Sequence, residues 1–262
     1  MSGERLETWE GIISESLGCA RSPDWVVRCF KSTPSTMNEA RSLLALQGTE
    51  KPVLVLAAHQ PSGRGRQGRK WLPATEGFFA TFACAAPRGL NPAGFSLVVG
   101  LMVLECLEEF GCRTVLKWPN DVLSPDGRKL CGILIESIPI GNGRAVLSGI
   151  GLNISGEPAE VPGCISLQTL CGRTLAPTAL AEKLAGRILN SWTVFLKEGF
   201  GPFREDWLKH AFGLGARLRI DTGCEMVEGV FSDVSSGGSI VLICANGRRE
   251  IASGHTLELP AV

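Results

Sequence analysis

A chain of 262 residues is long enough for one large domain, or for a large domain with a small one attached. Its 26 Lys and Arg residues balance 26 Asp and Glu residues, so no net charge draws the protein to nucleic acid or to an anionic membrane surface. The 10 cysteines form no C-x-x-C pair and the N-terminus lacks a signal-peptide pattern, which predicts reduced, mostly buried thiols in a cytoplasmic protein and argues against a structural zinc site.

The first predicted elements are an amphipathic helix, a strand and a second helix. Apolar residues at near-helical spacing predict the first helix over 6–17, and residues 26–30 have the composition of a strand. The next helix is predicted to begin after Pro34. Ser35 and Thr36 stand at this junction, where a hydroxyl usually caps a helix but also offers a hydrogen-bonding corner to a small ligand. Both interpretations remain open at this point.

A loop rich in glycine and arginine follows a predicted strand over 53–58. It reads Gly63-Arg64-Gly65-Arg66-Gln67-Gly68-Arg69-Lys70-Trp71 and is called the basic loop below. Its glycines let the backbone approach a ligand, and its cations favour a carboxylate or polyanion. The glycine spacing matches the dinucleotide-binding fingerprint, but no helix pattern follows, no acidic residue lies about 20 positions on, and the Lys-Ser or Lys-Thr of a P-loop is absent. The alternative is a solvated basic loop without a ligand.

Polar side chains recur near the ends of the strands that follow a predicted core helix over 91–110. Lys117, Asn120 and Asp121 end one predicted strand, and Lys129 precedes the next. Each lysine alone is typical of a solvated surface. Successive polar strand ends, in a chain whose basic loop also follows a strand, instead indicate a ligand site at one edge of a sheet.

The end of the chain has a different pattern. Helical periodicity over 177–196 and 203–212 gives way to short strands separated by glycine-containing turns, with an Asn-Gly hairpin signal before the last. These strands are predicted over 216–220, 227–234, 239–244 and 248–252. We therefore predict a large domain over 1–212 and a small antiparallel barrel over 213–262.

Five motifs occur in an order that resembles bacterial biotin protein ligases over nearly the whole chain. They are Ser35-Thr36, Gln60 with the basic loop, Lys117-Trp118-Pro119-Asn120-Asp121, the segment 128–136, and Gly149-Ile150-Gly151-Leu152-Asn153. The resemblance implies an α+β fold, in which a class II synthetase-like mixed, largely antiparallel sheet flanked by helices is joined to a C-terminal SH3-like barrel.

The resemblance also implies an ATP-dependent ligase with two steps. Biotin and MgATP form biotinyl-5′-AMP and pyrophosphate, and a lysine of a biotin carboxyl-carrier protein of a carboxylase then takes the biotinyl group. The residues implied to contact biotin are Ser35, Thr36, Gln60, Arg64, Gly65, Arg66, Lys129 and Gly132. Those implied to contact ATP are Arg66, Arg69, Trp71, Asn120, Asp121 and Asn153, with Asp121 also holding Mg²⁺. Catalysis is assigned to Arg64, Arg66, Lys117, Asp121 and Lys129, because cations must offset the repulsion between the biotin carboxylate and the α-phosphate.

Two features depart from the family's pattern. Met37 follows Thr36 where the family often has asparagine, and Asn38 comes one position later, which puts an amide contact to the biotin head group in question. The family's repressors carry an N-terminal DNA-binding domain that this sequence does not display, so we expect a ligase that does not bind DNA. The sequence is compatible with a homodimer and does not determine it.

Three alternatives compete with the biotin ligase interpretation. Lipoate or octanoate transferases resemble the same catalytic fold, but the basic loop and the Lys-Trp-Pro-Asn-Asp motif favour biotin. A cysteine-dependent acyltransferase would need Cys131 as its nucleophile, and we expect that thiol to be a core residue. A nucleic-acid-binding module could use the basic loop and the barrel, but the balanced charge and the single barrel aromatic, Phe231, count against it.

Overall fold

The computed structural model describes Glu10 and residues 25–72, 75–157 and 161–258. The helix predicted over 6–17 lies outside these residues, apart from Glu10. Within the described residues no helix is long and apolar enough to cross a bilayer.

A seven-stranded sheet with the order β1-β2-β5-β9-β8-β7-β6 is the centre of the fold. The strands are β1 (Val26–Ser32), β2 (Val53–His59), β5 (Glu76–Ala86), β6 (Val115–Lys117), β7 (Asp121–Leu123), β8 (Lys129–Ile140) and β9 (Gly143–Ser155). Only β1 and β2 pair in parallel among these described strands, and every other neighbouring pair is antiparallel. The predicted mixed, largely antiparallel sheet is confirmed.

Strand β5 shows why this sheet is buried on both faces. Successive side chains of a strand point to opposite faces, so Phe78 and Phe82 enter the larger apolar core while Phe79 and Ala83 enter a smaller one. Helices pack on both sides and cover these cores. A strand buried on both faces reads as a continuous apolar run, which is the pattern over residues 78–83.

Five α-helices are described. They are α1 (Thr36–Gln47), α2 (Phe95–Glu109), α3 (Leu167–Cys171), α4 (Pro177–Glu198) and α5 (Arg204–Lys209). Helix α1 contributes Ala40 and Leu44 to the smaller core, whereas α2 and α4 pack together on the larger one, where Phe95 contacts Trp192 at a ring-centroid distance of 4.8 Å. Pro177 begins α4 and Gly199, with a φ of +67°, ends it. The short helix α3 was not predicted.

The last five strands form a second, antiparallel sheet in the order β13-β12-β11-β10-β14. They are β10 (Arg217–Asp221), β11 (Met226–Val234), β12 (Ile240–Cys244), β13 (Gly247–Ile251) and β14 (His255–Glu258). Four of the five were predicted, and β14 was not. The predicted small antiparallel, SH3-like barrel is thus a five-stranded antiparallel sheet, whose edge strands β13 and β14 do not pair with each other in the part of the chain that the structure describes.

The second sheet packs directly against the first part of the chain. The Nε1 atom of the buried Trp118 donates to the carbonyl oxygen of Gly238 at 3.0 Å, and Arg204 forms an ion pair with Asp233. Phe231 of the second sheet belongs to the same apolar core as the large sheet. The two sheets therefore share one core, and the boundary at residues 212 and 213 stays a prediction.

The cysteines differ in one respect from the prediction. Cys112 and Cys171 are disulfide-bonded, with their Cα atoms 5.7 Å apart, so the expectation of reduced thiols is wrong for this pair. The bond joins the segment after α2 to the end of α3. Cys131 is a buried free thiol, as expected, and burial raises its pKa far above the ordinary range. A buried neutral thiol is not an activated nucleophile, which argues against a cysteine-dependent acyltransferase.

Candidate active site

The basic loop folds into a short hairpin over one cavity. Strands β3 (Gly63–Arg64) and β4 (Lys70–Trp71) pair antiparallel, and a 3₁₀ turn over Arg66–Gly68 connects them. Gln67 and Gly68 have φ values of 55° and 73° in that turn, and a glycine adopts this region at little cost. The hairpin therefore presents the arginines of the turn to the cavity and brings Trp71 back onto the sheet.

Twelve of the fourteen predicted site residues line this cavity. They are Ser35, Thr36, Gln60, Arg64, Gly65, Arg66, Arg69, Trp71, Asn120, Asp121, Lys129 and Gly132. Residues that sequence reasoning did not assign also line it, among them Met37, Ile133, Leu134, Gly149, Ile150, Gly151, Gly254 and His255. The glycines over 149–151 had a detectable signal, because small residues within a strand indicate close approach of a ligand or of another side chain.

Lys117 and Asn153 are the two predicted residues that do not line the cavity. Asn153 is buried, and its Nδ2 atom donates to the carbonyl oxygen of Ile165 at 3.1 Å, which ties β9 to the segment before α3. Lys117 lies opposite Asp121 in the β6–β7 pair. The contact of Asn153 with ATP and the catalytic role of Lys117 stay predictions.

One end of the cavity is a corner of amide and hydroxyl groups. The Oε1 atom of Gln60 accepts hydrogen bonds from the backbone N–H of Thr36 at 2.8 Å and from its hydroxyl at 3.1 Å. The hydroxyl of Thr81 donates to that of Thr36 at 2.9 Å. These bonds hold a buried polar corner in one orientation, which suits recognition of a small polar head group. Ser35 begins α1 without a side-chain cap bond, so helix capping does not explain its hydroxyl.

The glycines of β8 and β9 make room for the indole of Trp71. Gly132 and Gly151 are partners in the β8–β9 register. A Cβ atom on Gly132 would lie 2.7 Å from Trp71 Cζ3, and one on Gly151 would lie 2.8 Å from Trp71 Cε2. Both distances are shorter than van der Waals contact, so the indole fits against this wall only because both residues lack a side chain. Lys129 Nζ lies 5.4 Å from the centre of the same ring, within the range of a cation–π contact.

Cations outnumber the carboxylate beside the cavity. Lys129 Nζ forms an ion pair with Asp121 Oδ1 at 2.6 Å, a contact of opposite charges whose geometry is not that of a directed hydrogen bond. Burial lowers the pKa of Lys117, and Asp121 partly opposes that effect. Burial also lowers the pKa of Arg66, with Asp121 acting in the opposite direction and Arg69 in the same one. A group of partly desolvated cations around a single carboxylate is an anion site.

Asn120 joins this cationic side of the cavity to the wall. Its Nδ2 atom donates to the carbonyl oxygen of Ile133 at 2.9 Å, and its Oδ1 atom lies 3.5 Å from Arg66 Nη1. No group of three or more His, Cys, Asp or Glu residues suited to a metal ion occurs within residues 25–72, 75–157 and 161–258 or at Glu10. Asp121 is the one carboxylate among the described residues that line the cavity, so a metal ion here would need ligands from a bound substrate.

Known proteins match both the sequence and the fold. The sequence profile of the Biotin/lipoate A/B protein ligase family matches residues 29–153. A biotin–[acetyl-CoA-carboxylase] ligase of Paracoccus denitrificans is 36% identical over 237 residues, which cover 85% of this chain and 96% of that protein. The chain belongs to the biotin/lipoate A/B protein ligase family.

Two further members of this family extend the comparison. The bifunctional ligase/repressor BirA of Salmonella typhimurium is 31% identical over 71% of this chain, and the match spans 60% of BirA. A biotin protein ligase from Aquifex aeolicus, solved in complex with biotin and ATP, superposes with a TM-score of 0.74 at 27% identity. That superposition covers 90% of this chain and 99% of the other, so the family likeness includes the second sheet.

Proposed function

We propose that this protein is a biotin protein ligase that activates biotin with ATP and attaches it to a lysine of a carrier protein. In the first step a carboxylate oxygen of biotin attacks the α-phosphorus of ATP, which forms biotinyl-5′-AMP and releases pyrophosphate. In the second step the lysine amine attacks the carbonyl carbon of that mixed anhydride, which forms an amide and releases AMP. No covalent intermediate with the enzyme is needed.

One observation carries this proposal, namely a cavity with two chemically different ends. The corner built by Thr36, Gln60 and Thr81 provides fixed polar groups for the ureido ring of biotin, while Arg66, Lys129 and their neighbours provide positive charge where carboxylate and phosphate meet. Placing cations between two anions lowers the barrier to their reaction, and a charge-stabilising group of this kind often supplies the largest catalytic contribution. The Trp71 indole covers the glycine wall between the two ends.

Biotin is favoured over lipoate and octanoate by the fixed polar corner. Octanoate has a plain hydrocarbon chain, and lipoate ends in a disulfide ring, so neither offers a cyclic urea to the buried amide of Gln60. A buried polar site discriminates strongly against ligands that leave its groups unpaired. The matched relatives named as biotin ligases support the same choice. The nucleic-acid-binding alternative has no comparable support, since the basic loop faces a cavity lined by both polar and apolar side chains.

Magnesium would enter with ATP. Mg²⁺ is usually held by one or two carboxylates together with substrate phosphates and water, and a lone carboxylate at Asp121 fits that mode. The ion would supply charge neutralisation on the phosphates. Asp121 is at the same time the partner of Lys129, so binding of the ion would compete with that ion pair.

The second substrate is proposed to be the carrier domain of a biotin-dependent carboxylase. The Paracoccus denitrificans relative is named for acetyl-CoA carboxylase, which supports a carrier of that class. A cytoplasmic location and the lack of specific DNA binding remain predictions from the sequence, which is also compatible with a homodimer.

Pyrophosphate exchange into ATP tests the first step with one substrate at a time. We expect exchange with biotin and no exchange above background with lipoate or octanoate at equal concentrations. The second step is tested by mass spectrometry of a carrier domain and of its variant with arginine in place of the acceptor lysine, since only the former should gain a biotinyl group. Faster exchange with lipoate or octanoate than with biotin would overturn the proposal.

A further inference from the structure

A turn of the second sheet contacts the basic loop. Arg66 donates from Nη1 to the carbonyl oxygen of Gly254 and from Nη2 to the hydroxyl of Ser253, both at 3.2 Å. Arg69 Nη1 lies 3.1 Å from Nε2 of His255. Ser253 and Gly254 lie between β13 and β14, at 187 and 188 positions along the chain from Arg66, and His255 begins β14. Gly254 and His255 also line the cavity.

We propose that Ser253, Gly254 and His255 are positioning residues for the ligase reaction, and that they hold the basic loop closed over the biotinyl adenylate. This inference rests on the proposed function, because it concerns retention of the intermediate. The three residues act through Arg66 and Arg69 and do not take part in the chemistry themselves. They would give the second sheet a defined role in the reaction, although most of the cavity belongs to the large sheet.

The basic loop needs such support because it has few contacts of its own. Its strands are two residues long, and the turn between them has no buried side chain. Among the described residues, the side-chain hydrogen bonds that tie the loop to the large-sheet part of the chain are those of Arg64 with Asn38 and of Arg66 with Asn120. A segment with few packed contacts opens readily. A mixed anhydride under an open loop is lost to solvent or hydrolysed before it meets the carrier lysine.

The contact between Arg69 and His255 requires a neutral imidazole. Arg69 Nη1 lies 3.1 Å from Nε2 and 3.4 Å from Nδ1 of this ring, and a guanidinium carries only donors and a positive charge, so its close contact favours the uncharged ring. The charged groups that face His255 are Arg66 and Arg69 of the basic loop, Lys117 of β6, Asp121 of β7 and Lys129 of β8. Burial, followed by Arg69 and Lys117, lowers the pKa of His255, and Asp121 opposes them. The lowered pKa favours an uncharged imidazole beside Arg69 at neutral pH, and protonation of the ring would bring two cations into contact.

Release of preformed adenylate measures the role of His255 directly. Radiolabelled biotin and MgATP are incubated with full-length enzyme and pyrophosphatase, free ligand is removed by gel filtration, and loss of bound label is followed after a chase of unlabelled biotin. We expect His255→Ala to release label about tenfold faster than wild type, the factor for one hydrogen bond to a charged group. His255→Gln should stay within about twofold of wild type, because its amide oxygen also accepts from Arg69.

The matched control is His210→Gln, a substitution of the same type far from the loop. His210 lies after α5, beside Glu108, and its side chain does not line the cavity. It should release label at the wild-type rate. Thermal unfolding of each variant checks that a faster release does not reflect loss of the fold.

A pH series separates positioning from a purely structural effect. Wild-type release should accelerate at a pH below the ordinary histidine pKa of about 6.5, because the pKa of His255 is lowered from that value. His255→Gln, which cannot gain this charge, should show no such acceleration. Equal release by wild type and His255→Ala, or the same pH profile for wild type and His255→Gln, would overturn the inference. If wild type forms no adenylate, the proposed function fails as well, whereas a stable adenylate in His255→Ala counts against the positioning role alone.

Discussion

Lys129 is the residue whose charge should matter most to the first step and little to the fold. Its amine contacts Asp121 and the ring of Trp71 at the cavity, and its partly exposed aliphatic chain contributes little to the apolar core. We expect Lys129→Ala to reduce biotin-dependent pyrophosphate exchange by about 10²–10³-fold, the range for loss of one charge-stabilising group. Stability should fall by no more than about 1 kcal/mol, since the ion pair is partly exposed.

Lys209→Ala is the matched control for Lys129→Ala. Lys209 is an exposed lysine at the end of α5, also paired with a carboxylate, that of Asp206. Its removal should leave exchange unchanged. Exchange at the wild-type rate in folded Lys129→Ala would contradict the assignment of Lys129 to catalysis.

Gly151 tests the contact between the glycine wall and the indole of Trp71. An alanine there would place its Cβ atom 2.8 Å from Trp71 Cε2, so the indole must move away from β9. The backbone of Gly151 does not have a positive φ, and the substitution therefore acts on the ring without backbone strain. We expect Gly151→Ala to remain folded and to bind biotin at least about tenfold more weakly by isothermal titration calorimetry, because the displaced indole changes the shape of the site.

Gly186→Ala is the control, because an added side chain at this glycine would contact no neighbouring atom. Gly186 lies within α4, where an added Cβ meets nothing within 4 Å. Alanine there should raise stability by about 0.5–1 kcal/mol and leave biotin affinity unchanged. Similar affinities for Gly151→Ala and wild type would mean that the indole does not form part of the biotin site.

At the level of elements, the basic loop should gain order from its ligand. The loop exposes Arg64 and Lys70, and its two strands have two residues each. We expect trypsin to cleave wild type within residues 64–70, and the rate to fall at least about fivefold when biotin and MgATP are added, since ligand contacts supply order that packing does not. Peptides from other sites in the same digest provide the internal reference. Equal rates at 64–70 with and without ligand would contradict a closing loop.

Arg66→Gly is the corresponding variant of the loop. Removing Arg66 deletes the contacts to Asn120, Ser253 and Gly254 together with a cation of the site. Adenylate should form more slowly and leave faster, and the trypsin protection by ligand should shrink. Full protection in this variant would show that loop closure does not depend on Arg66.

Long, periodic segments were predictable from the sequence, and short ones were not. Strands β5 and β9 were predictable from their apolar runs, and helices α2 and α4 from their helical spacing. In each segment only one type of secondary structure buries most of the apolar side chains together. The hairpin of the basic loop, helix α3 and β14 have two to five residues each, too few for a period. Tertiary contacts stabilise them, and local sequence does not report such contacts.

The candidate site was predictable where its residues follow strand ends and was not where they come from the second sheet. Residues such as Lys129 and Asp121 stand beside recognisable strand ends, so their meeting could be expected from the sheet. His255 could not, because its place depends on how the second sheet packs against the first, and its neighbours in sequence carry no ligand-binding pattern. Asn153 lies within a motif, and its side chain links β9 to Ile165, while its contact with ATP stays a prediction.

At the scale of the whole molecule, the two sheets behave as one packed body. Phe231 and Leu218 of the second sheet lie in the same core as Phe95 and Trp207, and the buried Trp118 finds its hydrogen-bond acceptor at Gly238. A shared core means that opening one sheet exposes apolar surface of the other, which couples their unfolding. The second sheet is one continuous segment at the end of the described chain, but we expect it to unfold together with the first sheet and not separately.

Gly238→Ala tests this coupling at the closest approach between the two parts. Gly238 has a φ of +85°, and an added Cβ would lie 2.5 Å from the Cα atom of Gly94, so both its backbone and its surroundings exclude a side chain. Strained backbone and displaced packing together cost about 2 kcal/mol or more, which corresponds to a melting temperature lower by about 4–8 °C in a chain of this size. Gly237→Ala is the adjacent control, because its Cβ would meet only the Ser235 hydroxyl at 3.8 Å. Calorimetry should give one transition for wild type and the control, and a lower or divided transition for Gly238→Ala. Two transitions in wild type would contradict a shared core, since each sheet would then unfold on its own.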